Sequence, residues 1–362
     1  MSALTNIYDL DRPALAAWIA ARQQPAYRAD QVWHGLYQDL ATSSDEITTL
    51  PKPLRQAMHE TFAFGVLKPI DRRHSTDGQT EKALLALPGE AGYIEAVLMT
   101  YHRRRTACIS TQAGCAMGCV FCATGQMGFQ RHLSAGEIIE QVLLFERQLR
   151  QQDDRLTNVV VMGMGEPLHN YDATLEALDR LNDGDGFNFG ARRFTVSTVG
   201  LVPAIDRFIR EARPYQLAVS LHAADDDLRS SMLPINDRYP IADLMDACRR
   251  HVNASGRRIT FEWALVRDVN DSRQQAHRLA DLVGDLLCHV NLIPLNPTDG
   301  YQGGPTPQDR AEAFKAALAE RGVSCSIRLR RGIDIRAGCG QLATEVAGAP
   351  ANHKASMDTK LL

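Results

Sequence analysis

The sequence predicts an α/β fold, with a partial (β/α)6 barrel of the TIM type behind a small helical N-terminal domain. From about residue 105 onward, short apolar runs alternate with segments of helical periodicity, which is typical of parallel βαβ units. The cysteine loop and the other motifs of this region, which are described below, follow directly after the apolar runs. In a (β/α) barrel, the carboxyl ends of the strands are where active sites are built. A doubly wound sheet fits less well, because no Gly-x-Gly-x-x-Gly follows the first strand.

Residues 1–78 are predicted to form the helical domain. Asp11 precedes Pro13 as an N-cap precedes a first-turn proline, and apolar residues keep helical spacing around 32–37 and 51–64. Residues 79–104 are predicted to form a β-hairpin extension, because two apolar runs flank the turn sequence Gly-Glu-Ala-Gly.

The barrel core is predicted over 105–346. Its strands are predicted at 106–110, 159–162, 194–197, 217–221, 259–265, 290–295 and 325–329. Its helices are predicted at about 134–150, 172–182, 203–211, 240–253, 272–287 and 308–321. Ser134 and Glu137 form a capping box at the start of the first of these helices. The tail, 347–362, is polar and rich in small residues and is predicted to be disordered.

The composition excludes several classes of protein. The 362 residues include 40 Lys and Arg against 43 Asp and Glu, so the formal net charge is -3. This balance excludes a generally polybasic nucleic-acid binder but not a local basic patch. No apolar stretch approaches the roughly 20 residues of a membrane-spanning helix, and the N-terminus has no signal-peptide pattern. We therefore expect a cytoplasmic protein whose cysteines stay reduced.

Three cysteines carry the main functional signal. Cys115, Cys119 and Cys122 have the spacing C-x3-C-x2-C on one loop after a predicted strand. Structural zinc needs four ligands, usually in two separated pairs, whereas three thiolates on an iron–sulfur cluster leave one iron free for another ligand. The cluster is therefore the favoured interpretation. A zinc site with Cys108, His102 or His132 as fourth ligand is the alternative.

This cysteine loop resembles that of the radical S-adenosylmethionine superfamily. The resemblance implies a barrel of the radical SAM type with one 4Fe-4S cluster on the three cysteines. It also implies that S-adenosylmethionine binds the open iron and is cleaved to a radical. The sequence Gly-Met-Gly-Glu at 163–166 resembles the superfamily's glycine-rich strand. By this resemblance, the cofactor-binding residues are Gly165, Glu166, Ser197, Ser220, Leu221, His222 and Asn296.

Further motifs resemble one branch, the dual-specificity RNA methyltransferases. They are CISTQAGC, FQRHL, MGMGEPLHNY, FTVSTVG, LAVSLHAADDDLRSSMLPIN, VNLIPLNP and RRGIDIRAGCGQL. The resemblance implies methylation of carbon 2 of an adenine in 23S rRNA and in certain tRNAs, with two S-adenosylmethionine molecules per turnover. It also implies an N-terminal RNA-binding domain, an electron donor such as flavodoxin, and a monomer without membrane association. Two positions depart from the family pattern: His132 replaces the usual Asn, and Gly338 the usual Ala.

The same resemblance implies three catalytic residues. Cys339 takes a methyl group from one S-adenosylmethionine, a radical made from the second activates that methyl, and its carbon adds to the adenine. Glu95 removes the ring proton, and Cys108 releases the RNA by forming a disulfide with Cys339. From the residues alone, Cys108 would be a buried strand thiol and Glu95 an exposed strand acid. Cys339 lies in a small-residue loop, which favours exposure.

Clusters of arginine predict where RNA binds. Those nearest the predicted catalytic cysteines, at 103–105 and 328–331, are the candidates for phosphate contacts. Three alternatives to the carbon-2 methyltransferase remain: a carbon-8 methyltransferase of the sister resistance group, a radical enzyme with a non-RNA substrate, and a non-catalytic zinc-binding RNA module.

Overall fold

The structure is a computed structural model that describes residues 4–343. Its strands are β1 Thr5–Asn6, β2 Phe62–Ala63, β3 Lys68–His74, β4 Thr80–Ala86, β5 Tyr93–Tyr101, β6 Arg104–Cys108, β7 Gln112–Gly114, β8 Phe129–His132, β9 Asn158–Val161, β10 Phe194–Thr198, β11 Gln216–Ser220, β12 Ile259–Leu265, β13 Cys288–Pro294 and β14 Cys325–Ile327. Its α-helices are α1 Arg12–Ala20, α2 Tyr27–Tyr37, α3 Lys52–Thr61, α4 Ala123–Gln126, α5 Ala135–Arg150, α6 Tyr171–Asn182, α7 Val202–Arg210, α8 Asp226–Met232, α9 Ile241–Ser255, α10 Arg273–Val283 and α11 Gln308–Ala319. The predicted disordered tail, 347–362, lies outside the described residues.

The barrel core is a parallel sheet whose strands follow one another in chain order. From one side to the other the order is β6, β9, β10, β11, β12, β13 and β14, and every neighbouring pair is parallel. A doubly wound sheet reverses its order at a switch point, and this one does not. The sheet stays open, because β14 pairs with β13 alone among the strands described. The predicted partial (β/α) barrel is therefore confirmed.

Local sequence explains the helices between the strands. Helix α5 begins with the predicted capping box, in which the Ser134 side chain accepts from the Glu137 N–H and the Glu137 carboxylate accepts from the Ser134 N–H. The strands supply the core: Phe261 and Trp263 on β12 are both fully buried. The apolar residues of the strands thus form the core, and the polar residues lie beyond the strand ends.

The sheet continues beyond the barrel as an antiparallel extension. Strand β6 pairs with β5, β5 with β4, and β4 with β3, so the predicted hairpin is present as β4 and β5. Strand β3 differs from our expectation of a helical segment up to residue 78. Its side chains are mostly exposed, so it carries no apolar alternation, and pairing with β4 determines its conformation.

The N-terminal helices pack on the outer helices of the barrel. Asp11 caps α1 by accepting from the Ala14 N–H at 2.7 Å, as the sequence predicts. The Arg147 guanidinium on α5 donates to the Tyr8 hydroxyl at 2.7 Å, and Trp33 Nε1 on α2 donates to an Asp183 carboxylate oxygen at 2.9 Å. The boundaries of this domain at 78 and of the extension at 104 stay predictions.

Residues 328–343, here called the C-terminal segment, cross the carboxyl ends of the strands. The Arg328 N–H donates to the carbonyl of Leu292 on β13 at 2.7 Å. At the other end, the Ala343 N–H donates to the Glu95 carboxylate on β5 at 3.1 Å. The segment therefore spans the mouth of the open barrel. Among residues 4–343, no helix is both long enough and apolar enough to cross a membrane.

A buried arginine joins the strand ends on the opposite side of the mouth. The Arg229 side chain on α8 is fully buried and donates to the carbonyls of Val199 at 2.6 Å, Ser220 at 3.2 Å and Leu221 at 3.1 Å. It also donates to Asn236 Oδ1 at 2.8 Å. One guanidinium thus ties the ends of β10 and β11 to α8.

We expect Arg229→Leu to lower the free energy of unfolding by about 3 kcal/mol, because three buried carbonyls lose a charged donor. Chemical denaturation followed by circular dichroism measures this loss. The exposed Arg210→Leu on α7 is the matched control and should change stability by less than about 0.5 kcal/mol. Equal unfolding midpoints for the two variants would contradict the strand-end role of Arg229.

Candidate active site

A cavity at the carboxyl ends of the strands brings together cysteines that are distant in sequence. Cys108 at the end of β6, Cys122 in the loop before α4 and Cys339 in the C-terminal segment all line it. Gly163, just after β9, and Asn296, just after β13, lie in the same wall. The cavity therefore combines one cysteine of the C-x3-C-x2-C loop with both of the other cysteines singled out in the sequence.

The three cysteines of the loop are neighbours, with Cys115 and Cys119 buried and Cys122 partly exposed at the cavity wall. Burial raises the pKa of Cys115 to about 12 and that of Cys119 well above its usual value, and the neighbouring Cys122 raises both further. Three thiols that repel one another as thiolates need a positive centre to become charged together. A bound metal supplies such a centre, since a coordinating thiol is deprotonated outright.

A cubane cluster and a zinc ion make different demands on three thiols. Within residues 4–343, no three Cys, His, Asp or Glu side chains converge closely enough to hold one metal ion. A zinc ion needs its ligands around one point, whereas each thiolate of a cubane cluster binds a different iron. His132, an alternative zinc ligand, has its Nδ1 3.1 Å from Gln112 Nε2.

Neighbouring elements hold the loop in place. The Cys115 N–H donates to the Gly128 carbonyl at 2.9 Å, and the Ala123 N–H donates to the Gly340 carbonyl of the C-terminal segment at 2.7 Å. The Phe121 ring, between the second and third cysteines, packs edge-on against His222 with ring centroids 5.0 Å apart. The loop is thus held between the strand ends and the C-terminal segment.

Glu166 and Gly165 form a tight turn after β9, beside the cysteine loop. Both Glu166 oxygens accept backbone N–H groups, from Leu168 at 3.0 Å and Val199 at 2.9 Å. Burial raises the pKa of Glu166 to about 7. Gly165 has a φ of +96°, and a Cβ there would lie 2.5 Å from Gln112 Cβ, so only glycine fits the turn.

Asn296 retains an unused acceptor at the cavity wall. Its Nδ2 donates to the Cys339 carbonyl at 3.0 Å, while its buried Oδ1 has no partner among the described residues. An orphaned buried oxygen is expected to receive a donor from a ligand. A Cβ on Gly338 would lie 2.7 Å from Asn296 Nδ2, so the glycine that departs from the family pattern admits this close contact.

The remaining predicted cofactor residues lie at the ends of β10 and β11, outside the cavity wall. Ser197 and Ser220 are partly buried, and Leu221 and His222 are buried. Burial lowers the pKa of His222 to about 3, and its Nδ1 accepts the Ala264 N–H at 2.9 Å. His222 is therefore neutral. Because its Nδ1 accepts this hydrogen bond, the ring proton is on Nε2.

Cys108, Cys339 and Arg328 form a separate cluster in the cavity. The Arg328 guanidinium lies 3.9 Å from Cys339 Sγ. Burial raises the pKa of Cys108 to about 12, and the nearby Cys339 raises it further. Burial also raises the pKa of Cys339, while Arg328 lowers it. Both thiols are free, and Arg328 is the cation placed to stabilise either as thiolate.

Glu95 lies deeper in the same face of the sheet. Successive side chains of a strand alternate between faces, so Glu95 on β5 shares its face with Val97, which pairs with Cys108 and lines the cavity. Its side chain is 3% exposed and its Oε1 lies 2.9 Å from Lys82 Nζ. The interpretation as an exposed strand acid is therefore wrong.

The arginine clusters separate into different roles. Arg105 pairs with Asp154 at 2.6 Å, and Arg328 contacts Cys339 inside the cavity, so neither is free for phosphate as the charge pattern suggested. Arg104 and Arg331 instead lie against the Tyr101 ring, 4.9 and 4.6 Å from its centroid. Tyr101 lines the cavity, so an aromatic ring between two cations stands at its mouth.

Two segments of the chain match known families. Residues 109–280 match the radical SAM superfamily. Residues 5–63 match the N-terminal domain of ribosomal RNA large subunit methyltransferases.

Similar proteins cover nearly the whole chain. It is 50% identical over 341 residues to the dual-specificity RNA methyltransferase RlmN 1 of Myxococcus xanthus, covering 94% of this chain and 95% of that protein. It is 46% identical over 348 residues to the probable dual-specificity RNA methyltransferase RlmN of Chloroflexus aurantiacus, covering 93% and 92%. The crystal structure of a radical SAM methyltransferase from Sphaerobacter thermophilus superimposes with a TM-score of 0.92 at 49% identity, covering 94% of this chain and 100% of that one.

These likenesses confirm the predicted family, and with it the predicted cofactors. Enzymes of this kind hold one 4Fe-4S cluster and use two S-adenosylmethionine molecules per turnover, and the cysteine loop and the unpartnered oxygen of Asn296 fit that pair. The chain belongs to the RlmN family of radical SAM dual-specificity RNA methyltransferases.

Proposed function

We propose that this RNA methyltransferase methylates carbon 2 of an adenine in 23S rRNA and of an adenine in certain tRNAs. The observation that carries the proposal is the shared cavity of Cys108, Cys339 and Cys122. The proposal makes Cys339 the methyl-carrying thiol and Cys108 the resolving thiol, and its support is that both line one cavity with a cysteine of the candidate cluster loop. A radical enzyme that only abstracts hydrogen from its substrate has no use for two further thiols in that position.

Three residues of the loop and several strand-end residues hold the cofactors in this proposal. Cys115, Cys119 and Cys122 bind the cluster. When bound, the cluster would supply the electron that cleaves S-adenosylmethionine to methionine and a 5′-deoxyadenosyl radical, which takes a hydrogen atom from the methyl group, and it would take back the one electron left on the RNA adduct. S-adenosylmethionine is held by Gly165, Glu166, Ser197, Ser220, Leu221, His222 and Asn296. The support is their common position at the ends of β9–β13, next to the loop.

Cys339 is the methyl carrier. As thiolate, beside Arg328, it attacks the methyl carbon of one S-adenosylmethionine and becomes a thioether, and S-adenosylhomocysteine leaves as the sulfonium S–C bond breaks. After activation of that methyl, its carbon bonds to the adenine ring, and the RNA is joined to the Cys339 sulfur. Carbon 2 of adenine is electron-poor, so ordinary transfer of a methyl cation to the ring fails there.

Glu95 and Cys108 complete the reaction. Glu95 accepts the proton from the ring carbon, which a buried and positioned carboxylate is suited to do. The Cys108 thiolate then attacks the Cys339 sulfur, an S–S bond forms, and the S–C bond breaks. The released carbon takes a proton and becomes the methyl group, and reduction of the disulfide restores both thiols.

RNA enters across the mouth of the cavity. Tyr101 offers a ring on which a base can stack, and Arg104 and Arg331 offer charge for the flanking phosphates. The target adenine leaves its stack to reach the cavity, as bases do in enzymes that modify them. The N-terminal helical domain supplies further RNA contacts. Action on ribosomal and transfer RNA agrees with the predicted cytoplasmic location, and the flavodoxin-type donor and the monomeric state stay predictions.

The position of the new methyl group tests the proposal directly. We expect 2-methyladenosine in ribosomal and transfer RNA of cells that carry the gene and its loss when the gene is deleted, because carbon 2 is the proposed acceptor. Mass spectrometry of purified nucleosides measures both RNAs at once. Appearance of 8-methyladenosine would assign the carbon-8 reaction instead, and unchanged nucleosides would contradict an RNA substrate.

Each of the two cysteines outside the loop has its own expected defect. Cys108→Ala should accumulate a covalent protein–RNA adduct, because the thioether cannot be displaced, whereas Cys339→Ala should form none. Denaturing gel electrophoresis with labelled RNA detects the adduct. Cys248→Ala, a buried cysteine on α9, is the control and should methylate RNA at the normal rate. Normal methylation by both catalytic variants would contradict the two-thiol scheme.

Methylation of Cys339 should become faster as pH rises. Burial raises the pKa of the Cys339 thiol and Arg328 lowers it, so the reactive thiolate is a minor species at neutral pH. Arg328→Leu removes the lowering influence and shifts the rise to higher pH. We expect slower methyl transfer at pH 7.5 in this variant, since a smaller fraction of the thiol is then ionised.

The measurement is the mass of the Cys339 peptide after reaction of the cluster-loaded enzyme with S-adenosylmethionine without a reductant. Arg258→Leu, an exposed arginine before β12, is the matched control and should leave the pH profile unchanged. Identical profiles for the Arg328 and Arg258 variants would show that Arg328 does not act on the thiol.

A further inference from the structure

A lysine is buried in the sheet directly beside Glu95. Lys82 lies on β4, and its side chain is 4% exposed. The register pairs Lys82 with Val97 and Leu84 with Glu95, so Lys82 and Glu95 are diagonal neighbours on one face. Lys82 Nζ lies 2.9 Å from Glu95 Oε1. Lysine is almost never buried without a charged partner, and here that partner is the proposed base.

The same lysine reaches the segment that carries Cys339. Lys82 Nζ donates to the Arg336 carbonyl at 3.2 Å, three residues before Cys339. Glu95 Oε2 accepts the Ala343 N–H at 3.1 Å, four residues after it. The ion pair is therefore attached to the C-terminal segment on both sides of the cysteine, through one contact from each partner.

A base in this position needs a compensating charge. A carboxylate without a partner in an apolar interior takes up a proton instead of staying ionised, and a protonated Glu95 cannot accept one from the adenine ring. The Lys82 ammonium group, 2.9 Å from Glu95 Oε1, supplies that charge. The pair costs desolvation energy that two apolar side chains of similar size would avoid, so its presence beside the cavity calls for a functional reason.

We propose that Lys82 is a positioning residue for the methyl transfer, which holds the Glu95 carboxylate in place beside the cavity through their ion pair. This inference rests on the proposed function of Glu95 as the base. Lys82 acts only on the proton-removal step. The earlier methylation of Cys339 and the formation of the RNA adduct do not depend on it.

Step-resolved assays of the cluster-loaded enzyme test this role. Lys82→Met should methylate Cys339 at the normal rate and form the covalent RNA adduct, but release methylated RNA about a hundredfold more slowly, which is the low end of what a general base contributes. Glu95→Gln should show the same pattern. Lys68→Met, an exposed lysine on the edge strand β3, is the matched control and should behave as the unaltered enzyme does.

The double variant Lys82→Met/Glu95→Gln separates a positioning role from a structural one. It buries no unpaired charge, so it folds even if Lys82→Met alone does not. If Lys82 acts through Glu95, the double variant releases RNA as slowly as Glu95→Gln and no more slowly. If the double variant also loses Cys339 methylation, which Glu95→Gln retains, Lys82 has another role and the inference is overturned.

Two outcomes distinguish a failure of the Lys82 role from a failure of the proposed role of Glu95 as the base. Normal release by Lys82→Met together with a trapped adduct in Glu95→Gln would overturn the role of Lys82 and leave Glu95 as the base. Normal release by Glu95→Gln would remove Glu95 from the reaction, and the role of Lys82 would fail with it.

Discussion

The return of the C-terminal segment across the strand ends is the constraint on which the rest of the site depends. The barrel is open, so its own strands cannot enclose a reaction that must exclude water. Hydrogen bonds attach the segment to the cysteine loop through the Gly340 carbonyl, to β13 through Asn296 and the Arg328 N–H, to β4 through Lys82 and to β5 through Glu95. The bond from Asn296 is made to the Cys339 carbonyl itself.

Burial at this mouth makes Cys108 and Cys339 harder to ionise than exposed cysteines. It raises the pKa of Cys108 to about 12 and raises the pKa of Cys339 as well, so neither is a free thiolate at neutral pH. That protects them from adventitious oxidation, because the thiolate is the reactive form. The Arg328 guanidinium lowers the pKa of both thiols and contacts Cys339.

Local patterns predicted most of the fold and the outline of the site, and long-range pairing determined the rest. Periodicity and the Ser134 cap are local, so the strands and helices of the barrel were predictable, and residues after strand ends converge in any parallel barrel. Strand β3 was not predictable, because it is an exposed edge strand without alternation. The partner of Lys82 depends on the register of β4 on β5. Arg328 lies in a run of arginines that resembles a solvent-exposed cluster, and only the end of β14 brings it to Cys339.

The two catalytic thiols are held in different ways, and the difference suits the proposed reaction. Cys108 lies within the sheet, paired with Val97 on one side and Val160 on the other, so its position is fixed by two strands. Cys339 lies in a segment without strand pairing among the described residues, held by single hydrogen bonds. The methyl carrier must meet S-adenosylmethionine first and adenine second, whereas the resolving thiol acts once, at one place. In the proposed reaction, the resolving thiol is thus the one held within the sheet, and the methyl carrier is the one in the segment without strand pairing among the described residues.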